Sequence, residues 1–158
     1  MLYSIFNIGS NLFGVPIYSI LEIVRSGKFH PIKGAPKAID GLINLRGKVV
    51  TVLNTGIAFE TEKVQISDES RIYIFKNNVE LKEIIDTENN EDMSPDNLGL
   101  HVERIQSVIN VEKEELQTVP TNMQHPFYQH VVRRQDDFII ILKPSKAIIL
   151  KQSETVKP

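Results

Sequence analysis

Short apolar runs separated by turn-forming residues constrain the fold of this chain more than any other feature. The runs are rich in Val, Ile, Phe and Tyr, and Gly, Pro, Asn or Asp bounds most of them. Most are too short for helices, and β-branched and aromatic residues favour strands. Many short strands with regular punctuation predict an all-β barrel or sandwich. We predict strands within eight runs: Leu2–Ile8, Phe13–Val15, Glu22–Val24, Lys48–Leu53, Arg71–Phe75, Gly99–Val102, Ser107–Val111 and Phe138–Leu142.

Composition narrows the class of protein. The 158 residues are 41% hydrophobic and 24% charged, which is typical of one soluble globular domain. The formal net charge of -2 gives no attraction to nucleic acid or to an acidic membrane surface. The chain has no cysteine, which excludes disulfides, thiolate catalysis and cysteine-based zinc sites and suits a reducing cytosol. The N-terminus lacks a basic start and no run approaches ~20 apolar residues, so we expect a soluble, unexported protein without membrane insertion.

Three short segments have helical character. Ile17–Leu21 follows a proline, Pro36–Ile39 begins with one, and Glu112–Leu116 is a charged turn of good helix formers. All three are short, so we expect them to connect strands rather than to form a layer of the core.

An acidic, Asn-rich stretch at residues 77–97 stands apart from the apolar runs. It carries seven carboxylates against Lys82 alone and contains several loop formers. We predict a solvated surface insertion, within which Val79–Ile85 forms either an extra hairpin or a helical turn. Residues 151–158 are polar and are predicted to be a flexible tail.

Motifs for chemistry are missing from the chain. His125 and His130 are five residues apart with no carboxylate between them, so the zinc-protease pattern is absent. No Gly-x-Ser-x-Gly elbow and no glycine-rich phosphate loop occurs. Arg133-Arg134 is a basic pair without interleaved aromatics, which gives no support to nucleic-acid binding. We therefore predict no catalytic residue, no metal and no cofactor.

The segment Pro36–Asn54 is the most informative part of the sequence. It predicts a helical turn, a hinge at Gly41, an apolar entry, an Arg-Gly turn and then a strand. Gly47 should permit a backbone conformation that is closed to larger residues, and Arg46 beside it should project toward solvent or across a groove. The apolar entry, which should anchor the segment in the core, consists of Leu42, Ile43 and Leu45.

The residues Gly41-Leu-Ile-Asn-Leu-Arg-Gly47 strongly resemble the signature of the CheW-like family. Phe13–Val24 is similar to that family's early strand, short helix and Val-x-Glu-Ile/Val strand. Leu98–Ile109 is similar to its Gly-Leu-x-Val-Asp-x-Val-x-x-Val element, and Phe138–Leu150 to its closing strand and terminal turn. The four elements occur in the family's order and cover most of the chain.

The sequence departs from the usual family pattern at several positions. Thr51 stands where proline is common, and Asn54-Thr55-Gly56 replaces the usual Asp-Leu-Arg after the strand. Glu103 replaces an aspartate, and His130 stands where glycine is frequent. These departures bear on interface detail more than on the fold.

The resemblance implies a fold of two small five-stranded SH3-like β-barrels that share an apolar seam, with short connecting helices. A single domain at residues 1–150 would then consist of one barrel at about 13–75 and a second at about 1–12 plus 98–150. The acidic insertion at 77–97 would lie between them in sequence.

The resemblance also implies a function: a non-enzymatic scaffold that couples methyl-accepting chemoreceptors to the histidine kinase CheA. The partners would be the CheA regulatory domain and the cytoplasmic tip of the receptor, and the protein would be cytoplasmic and recruited to membrane receptor arrays. Matching motif positions assigns Gly41 to kinase contact and Gly47 to a structural turn. The positions assigned to receptor contact are Ile20, Glu22, Asn44, Leu45 and Arg46.

Other interpretations of these residues stay open at this point. Ile20 could be ordinary core packing, and Arg46 could brace the two barrels through backbone carbonyls. A CheW-like adaptor of a pilus or second-messenger pathway is the nearest alternative function. A small-barrel enzyme is a second alternative, and it predicts a deep pocket with titratable groups near His101 and Glu103.

Overall fold

The computed structural model describes residues 1–82 and 94–146. Within these residues, ten strands form two five-stranded sheets, which confirms the predicted all-β class with short connecting helices. No helix of the described part is long and apolar enough to cross a membrane. The helices are α1 (Thr55–Ala58) and α2 (Asn78–Lys82). The strands are β1 (Leu2–Ile8), β2 (Asn11–Pro16), β3 (Ile20–Arg25), β4 (Ile39–Leu45), β5 (Lys48–Asn54), β6 (Arg71–Phe75), β7 (Leu98–Val102), β8 (Arg104–Asn110), β9 (Tyr128–Arg134) and β10 (Asp137–Leu142).

The two sheets are built from different parts of the chain. The first has the strand order β8-β1-β2-β10-β9 and the second β3-β6-β7-β5-β4. The second sheet therefore uses five consecutive strands, whereas the first combines strands from both ends of the chain. The expected barrel boundaries need correction at two strands, because β2 lies in the first sheet and β7 in the second. Both pair in parallel with a strand distant in sequence, and such pairing leaves no local pattern to read.

The sheets repeat one pairing scheme, although the sequence shows no internal repeat. In each, an antiparallel hairpin (β4-β5 or β9-β10) pairs in parallel with a third strand, and two antiparallel strands follow. Each hairpin has a bulge at the same place, with Asp40 and Gln129 as the extra residues. Gly99 and Gly14 occupy matching positions in the parallel partners, opposite Val52 and Ile141.

Two strands were not predicted. Pro36–Ile39 was expected to be a helical turn and Gly41 a hinge, but only one turn bond forms, from Ile39 N–H to the Pro36 carbonyl (3.0 Å), before β4 begins. β9 contains His130 and several polar residues, and its half-exposed pattern does not alternate cleanly. The helical prediction at 17–21 holds only for Ile17–Ser19, whereas a short turn at Lys113–Glu115 agrees with the prediction for that segment.

An apolar seam joins the two sheets. β1 and β6 are buried on both faces, because alternate side chains face their own sheet's interior and the other sheet. In the seam, the rings of Phe6 and Phe13 stack at 5.6 Å, and Phe6 meets Tyr73 at 5.5 Å. The Tyr73 hydroxyl is hydrogen-bonded to Ser4 Oγ at 2.7 Å, so the one polar group entering this contact is satisfied.

The acidic insertion is anchored at its base. Asn77 and Glu80 cap α2 reciprocally, with each backbone N–H 2.9 Å from the other's side-chain oxygen. The Asn97 amide donates to the Phe75 carbonyl (2.8 Å) and to Glu80 (2.7 Å). Burial raises the pKa of Glu80, but these hydrogen bonds and two nearby lysines outweigh it, so the pKa is lowered overall. The helical alternative for this stretch is present at Asn78–Lys82; residues 83–93 and the tail at 151–158 lie outside the described residues.

His125 lies where the two sheets meet. Its ring is 5.4 Å from Phe59, which follows α1, and 4.8 Å from Tyr128 of β9. Its Nδ1 accepts the Phe127 N–H (3.1 Å), which requires an unprotonated Nδ1. Burial lowers the pKa of His125, against the smaller opposite effects of the Ala58 backbone and Glu60. The groups lining the adjoining cleft from residues 118 to 129 are uncharged apart from the imidazole.

The surroundings of His125 predict that acid weakens the packing between the two sheets. The pKa of His125 is lower in the folded protein, so the unfolded chain binds more protons below about pH 6.5. The free energy of unfolding therefore decreases as the pH is lowered through that range. Urea unfolding at about pH 7.5 and about pH 5.5 should show a smaller loss in His125→Gln than in the wild type. Part of the dependence should persist, because burial also lowers the pKa of His130. An unchanged pH dependence in His125→Gln would contradict the assignment, and His30→Gln, at an exposed imidazole, is the control.

Candidate interaction surface

The tip of the β4-β5 hairpin is a two-residue turn. Arg46 and Gly47 have φ values of +50° and +87°, and two positive values in succession are what a type I′ turn requires. Asn44 Oδ1 accepts the Gly47 N–H at 2.8 Å and holds the turn from below. Gly47 takes the left-handed conformation at no steric cost, whereas Arg46 takes it at a cost in free energy because it has a Cβ.

Arg46 forms a bidentate ion pair with Glu22 of β3. Its two terminal nitrogens meet the two carboxylate oxygens, with Nη1 3.2 Å from Oε1. A guanidinium is charged at physiological pH in any protein, and hydrogen bonding to Glu22 raises the pKa of Arg46 further. β3 and β4 are the two outer strands of the second sheet, so the pair spans the open side of that sheet and brings its edges together.

The first sheet has a comparable arginine. Arg134, the last residue of β9, donates to the Asn110 carbonyl at the end of β8 and, through Nε, to Glu115 at 2.9 Å. β8 and β9 are likewise the outer strands of their sheet. An arginine beside a hairpin turn therefore joins the edges of each sheet.

Exposed apolar residues occur close in sequence to both members of the Arg46–Glu22 pair. Ile23 follows Glu22 in β3 and is 44% exposed, and Val49 lies opposite Asn44 in the hairpin and is 68% exposed. Beside them a cleft between β3 and β4 has an apolar floor that includes Ile43 and Ile72. Exposed apolar residues close to charged ones are typical of a surface that binds another protein.

Of the five residues predicted for receptor contact, the structure brings Glu22, Asn44 and Arg46 together at this surface. Ile20 is half-buried against the seam, and Leu45 packs against the interior of the second sheet. The interpretation of Arg46 as a brace between the barrels is wrong, because its side-chain hydrogen bonds go to Glu22 of the same sheet. The Arg46 side chain instead reaches β3, the opposite edge strand of the same sheet.

Gly41 is buried beneath another segment of the chain. His30 and Leu42 exchange two backbone hydrogen bonds of 2.9 Å, which lay the segment before β4 across Gly41. A Cβ on Gly41 would overlap the His30 carbonyl oxygen, and its φ of +143° also favours glycine. Gly41 can therefore affect a partner only through the backbone crossing that it permits.

Sequence reasoning missed a buried polar pair beside Gly41. Asp40, the extra residue of the β4 bulge, has its Oδ2 2.8 Å from Nδ1 of His101 in β7. Both side chains are almost fully buried, and within the described residues His101 Nε2 has no hydrogen-bond partner. The two residues are far apart in sequence, and Asp40 comes to meet His101 through the bulge in β4, which no local sequence pattern indicates.

The model of the CheW-like domain family matches residues 3–151. This chain belongs to the CheW-like domain family. It is 27% identical over 151 residues to a chemotaxis protein CheW of Treponema pallidum (strain Nichols), covering 93% of this chain and 81% of that protein. It is 20% identical over 147 residues to a chemotaxis protein CheW of Helicobacter pylori (strain ATCC 700392 / 26695), covering 92% and 79%. The crystal structure of the scaffolding protein TtCheW from Thermoanaerobacter tengcongensis matches with a TM-score of 0.74 at 26% identity, over 90% of this chain and 83% of that one.

Membership in the CheW-like family makes this chain a scaffold or adaptor rather than an enzyme. The enzyme alternative required one pocket shared by His101 and Glu103. Instead His101 is fully buried, whereas Glu103 is exposed and accepts the Gly9 N–H at 2.9 Å. Glu103 lines a surface cleft beside residues 61–65 that His101 does not reach. Among the described residues there is no group of three His, Cys, Asp or Glu side chains that could hold a metal ion.

The packing around Gly41 predicts a large effect of adding one methyl group. Gly41→Ala should lower the free energy of unfolding by about 2–4 kcal/mol, because the Cβ meets backbone that cannot move aside and the φ value is unfavourable. Gly27→Ala is the matched control, since nothing lies within 4 Å of a Cβ there. Urea unfolding of both variants checks this, and equal stabilities would show that the crossing at Gly41 is not close-packed.

Proposed function

We propose that this CheW-like protein couples methyl-accepting chemoreceptors to the histidine kinase CheA in bacterial chemotaxis. It acts in the cytoplasm, is recruited to receptor arrays at the membrane, and needs no cofactor. Family membership and the names of both relatives support this proposal. The mechanism is a free-energy coupling between two binding sites, which in proteins is typically about 1–3 kcal/mol.

The receptor's cytoplasmic tip would bind at the surface around the Arg46–Glu22 pair. The observation that carries this is the bidentate Arg46–Glu22 pair across the open side of the second sheet, with exposed Ile23 and Val49 on the nearby strands β3 and β5. Asn44 fixes the hairpin turn below Arg46, while Leu45 and Ile20 set the apolar packing behind the surface. Gly47 contributes through the turn conformation alone.

The regulatory domain of CheA would bind the second sheet near Gly41. Gly41 is buried, so its contribution would be to let the segment around His30 cross β4 closely. The crossing presents an exposed loop at residues 30–34, and the shape of that loop depends on the glycine.

Direct binding tests the assignment. The full chain should bind a purified CheA regulatory domain and a chemoreceptor cytoplasmic fragment in pull-down and calorimetry. If neither binds at tens of micromolar, roughly the lower limit for useful cellular affinity, the coupling assignment fails. Binding to components of a pilus or second-messenger pathway instead would favour the alternative adaptor, which the departures at Asn54-Thr55-Gly56 make worth testing.

Arg46→Glu separates the interface from the fold. The substitution places two carboxylates at the receptor surface and should weaken binding of the receptor fragment by about fivefold or more. The thermal unfolding midpoint should change little, because Arg46 is exposed and surface ion pairs contribute little to stability.

Lys63→Glu makes the same change of charge at an exposed loop position and is the control. It should leave receptor binding unchanged. Equal weakening by both variants would indicate a general charge effect, and unfolding of Arg46→Glu would show that the ion pair is required for the fold instead.

A further inference from the structure

Asn54 is the centre of a buried hydrogen-bond network. Its Nδ2 donates to the two Asp40 oxygens at 3.0 and 3.1 Å and to the Val64 carbonyl at 3.0 Å. Its Oδ1 accepts the N–H groups of Ile57 (3.2 Å) and Val64 (3.0 Å). The residue is fully buried, and Asp40 also meets His101. Asn54 thus uses both ends of its amide, donating and accepting in one site.

This network closes the loop at residues 54–64. The Asn54 side chain spans the loop from its first turn to Val64, and Thr55 Oγ1 donates to the His101 carbonyl at 2.7 Å. Inside the loop, the Thr61 N–H donates to the Gly56 carbonyl at 2.8 Å. A Cβ on Gly56 would overlap the Glu62 carbonyl oxygen, so the loop can close this tightly only with glycine at that position.

The closed loop positions the Phe59 ring against residues of the first sheet. Phe59 caps the end of α1, and its ring stacks on Phe13 of β2 at 5.0 Å and meets Phe127 at 5.6 Å. Ile20, one of the residues proposed for receptor contact, packs against the same cluster. At its other end the network is attached to β4, the strand that leads to Asn44 and the Arg46 turn.

We infer that Asp40, Asn54 and His101 are positioning residues that fix the two sheets relative to each other and thereby shape the receptor-binding surface. This inference rests on the proposed function. It also explains why an amide stands at 54 where the family pattern usually has an aspartate. An aspartate there would place two carboxylates within hydrogen-bond distance in a buried site and could not donate to Asp40 or Val64.

The test compares Asn54→Asp with the exchanged pair Asp40→Asn/Asn54→Asp. Calorimetry measures binding of a chemoreceptor cytoplasmic fragment, and circular dichroism monitors folding. Asn54→Asp should bind about fivefold or more weakly at about pH 7.5 and recover at about pH 5.5, where one carboxyl takes up a proton. The exchanged pair restores an amide–carboxylate contact and should bind within about threefold of the wild type at both pH values. Asn122→Asp adds the same charge at an exposed position and should bind normally.

Several outcomes would overturn the inference. Normal binding by Asn54→Asp would do so, as would a loss that neither acid nor the exchanged pair repairs. If Asn54→Asp does not fold, the exchanged pair decides, since it must both fold and bind. If the wild type does not bind the fragment, the proposed function fails instead. Nuclear Overhauser contacts between the Phe59 and Phe13 rings then judge the positioning role: they should weaken in Asn54→Asp and return in the exchanged pair.

Discussion

A curled sheet of five short strands encloses too few side chains to be stable alone, so each sheet must bury its outer face against the other. The interior of the second sheet holds only four fully buried aliphatic residues, whereas the largest rings lie in the seam between the sheets. The register of β1 and β6 follows from this, because a slip of one residue would move Phe6 or Tyr73 out of the seam. The packing of this shared core therefore holds in place the surfaces that a partner could recognise.

The edges of the sheets obey a second constraint. Outer strands expose unpaired backbone groups and invite pairing with other chains. Here each sheet curls until its outer strands are joined by an arginine beside a hairpin turn, Arg46 in one and Arg134 in the other. In the second sheet, exposed Ile23 and Val49 also lie on the strands β3 and β5 near that arginine. The same contact thus closes the sheet and supplies the charge of the proposed interface.

The sequence predicted what local pattern encodes. Strands such as β1 and β6 were found because burial on both faces leaves a run rich in apolar residues. β4 was missed because Pro36 and Gly41 suggested a helical turn and a hinge, whereas Gly41 serves a backbone crossing made by His30. The Arg46-Gly47 turn was predicted correctly, whereas the hydrogen bond by which Asn44 holds it was not. The ion pair with Glu22 and the contact of Asp40 with His101 depend on tertiary approach, which no spacing within the sequence reveals.

The division of the chain between the sheets has a consequence for how the protein is made. The second sheet is built from consecutive strands that end at Val102, so it can assemble while the ribosome is still adding later residues. The first sheet cannot be completed until β10 has emerged from the ribosome, because β2 pairs with β10. Pairing between strands so distant in sequence is slow to form. During that interval Tyr3 and Ile5, which face the interior of the first sheet, have not yet met Val132, Ile139 and Ile141 of β9 and β10. The nascent chain is therefore most open to aggregation after the second sheet is complete and before β10 has been synthesised.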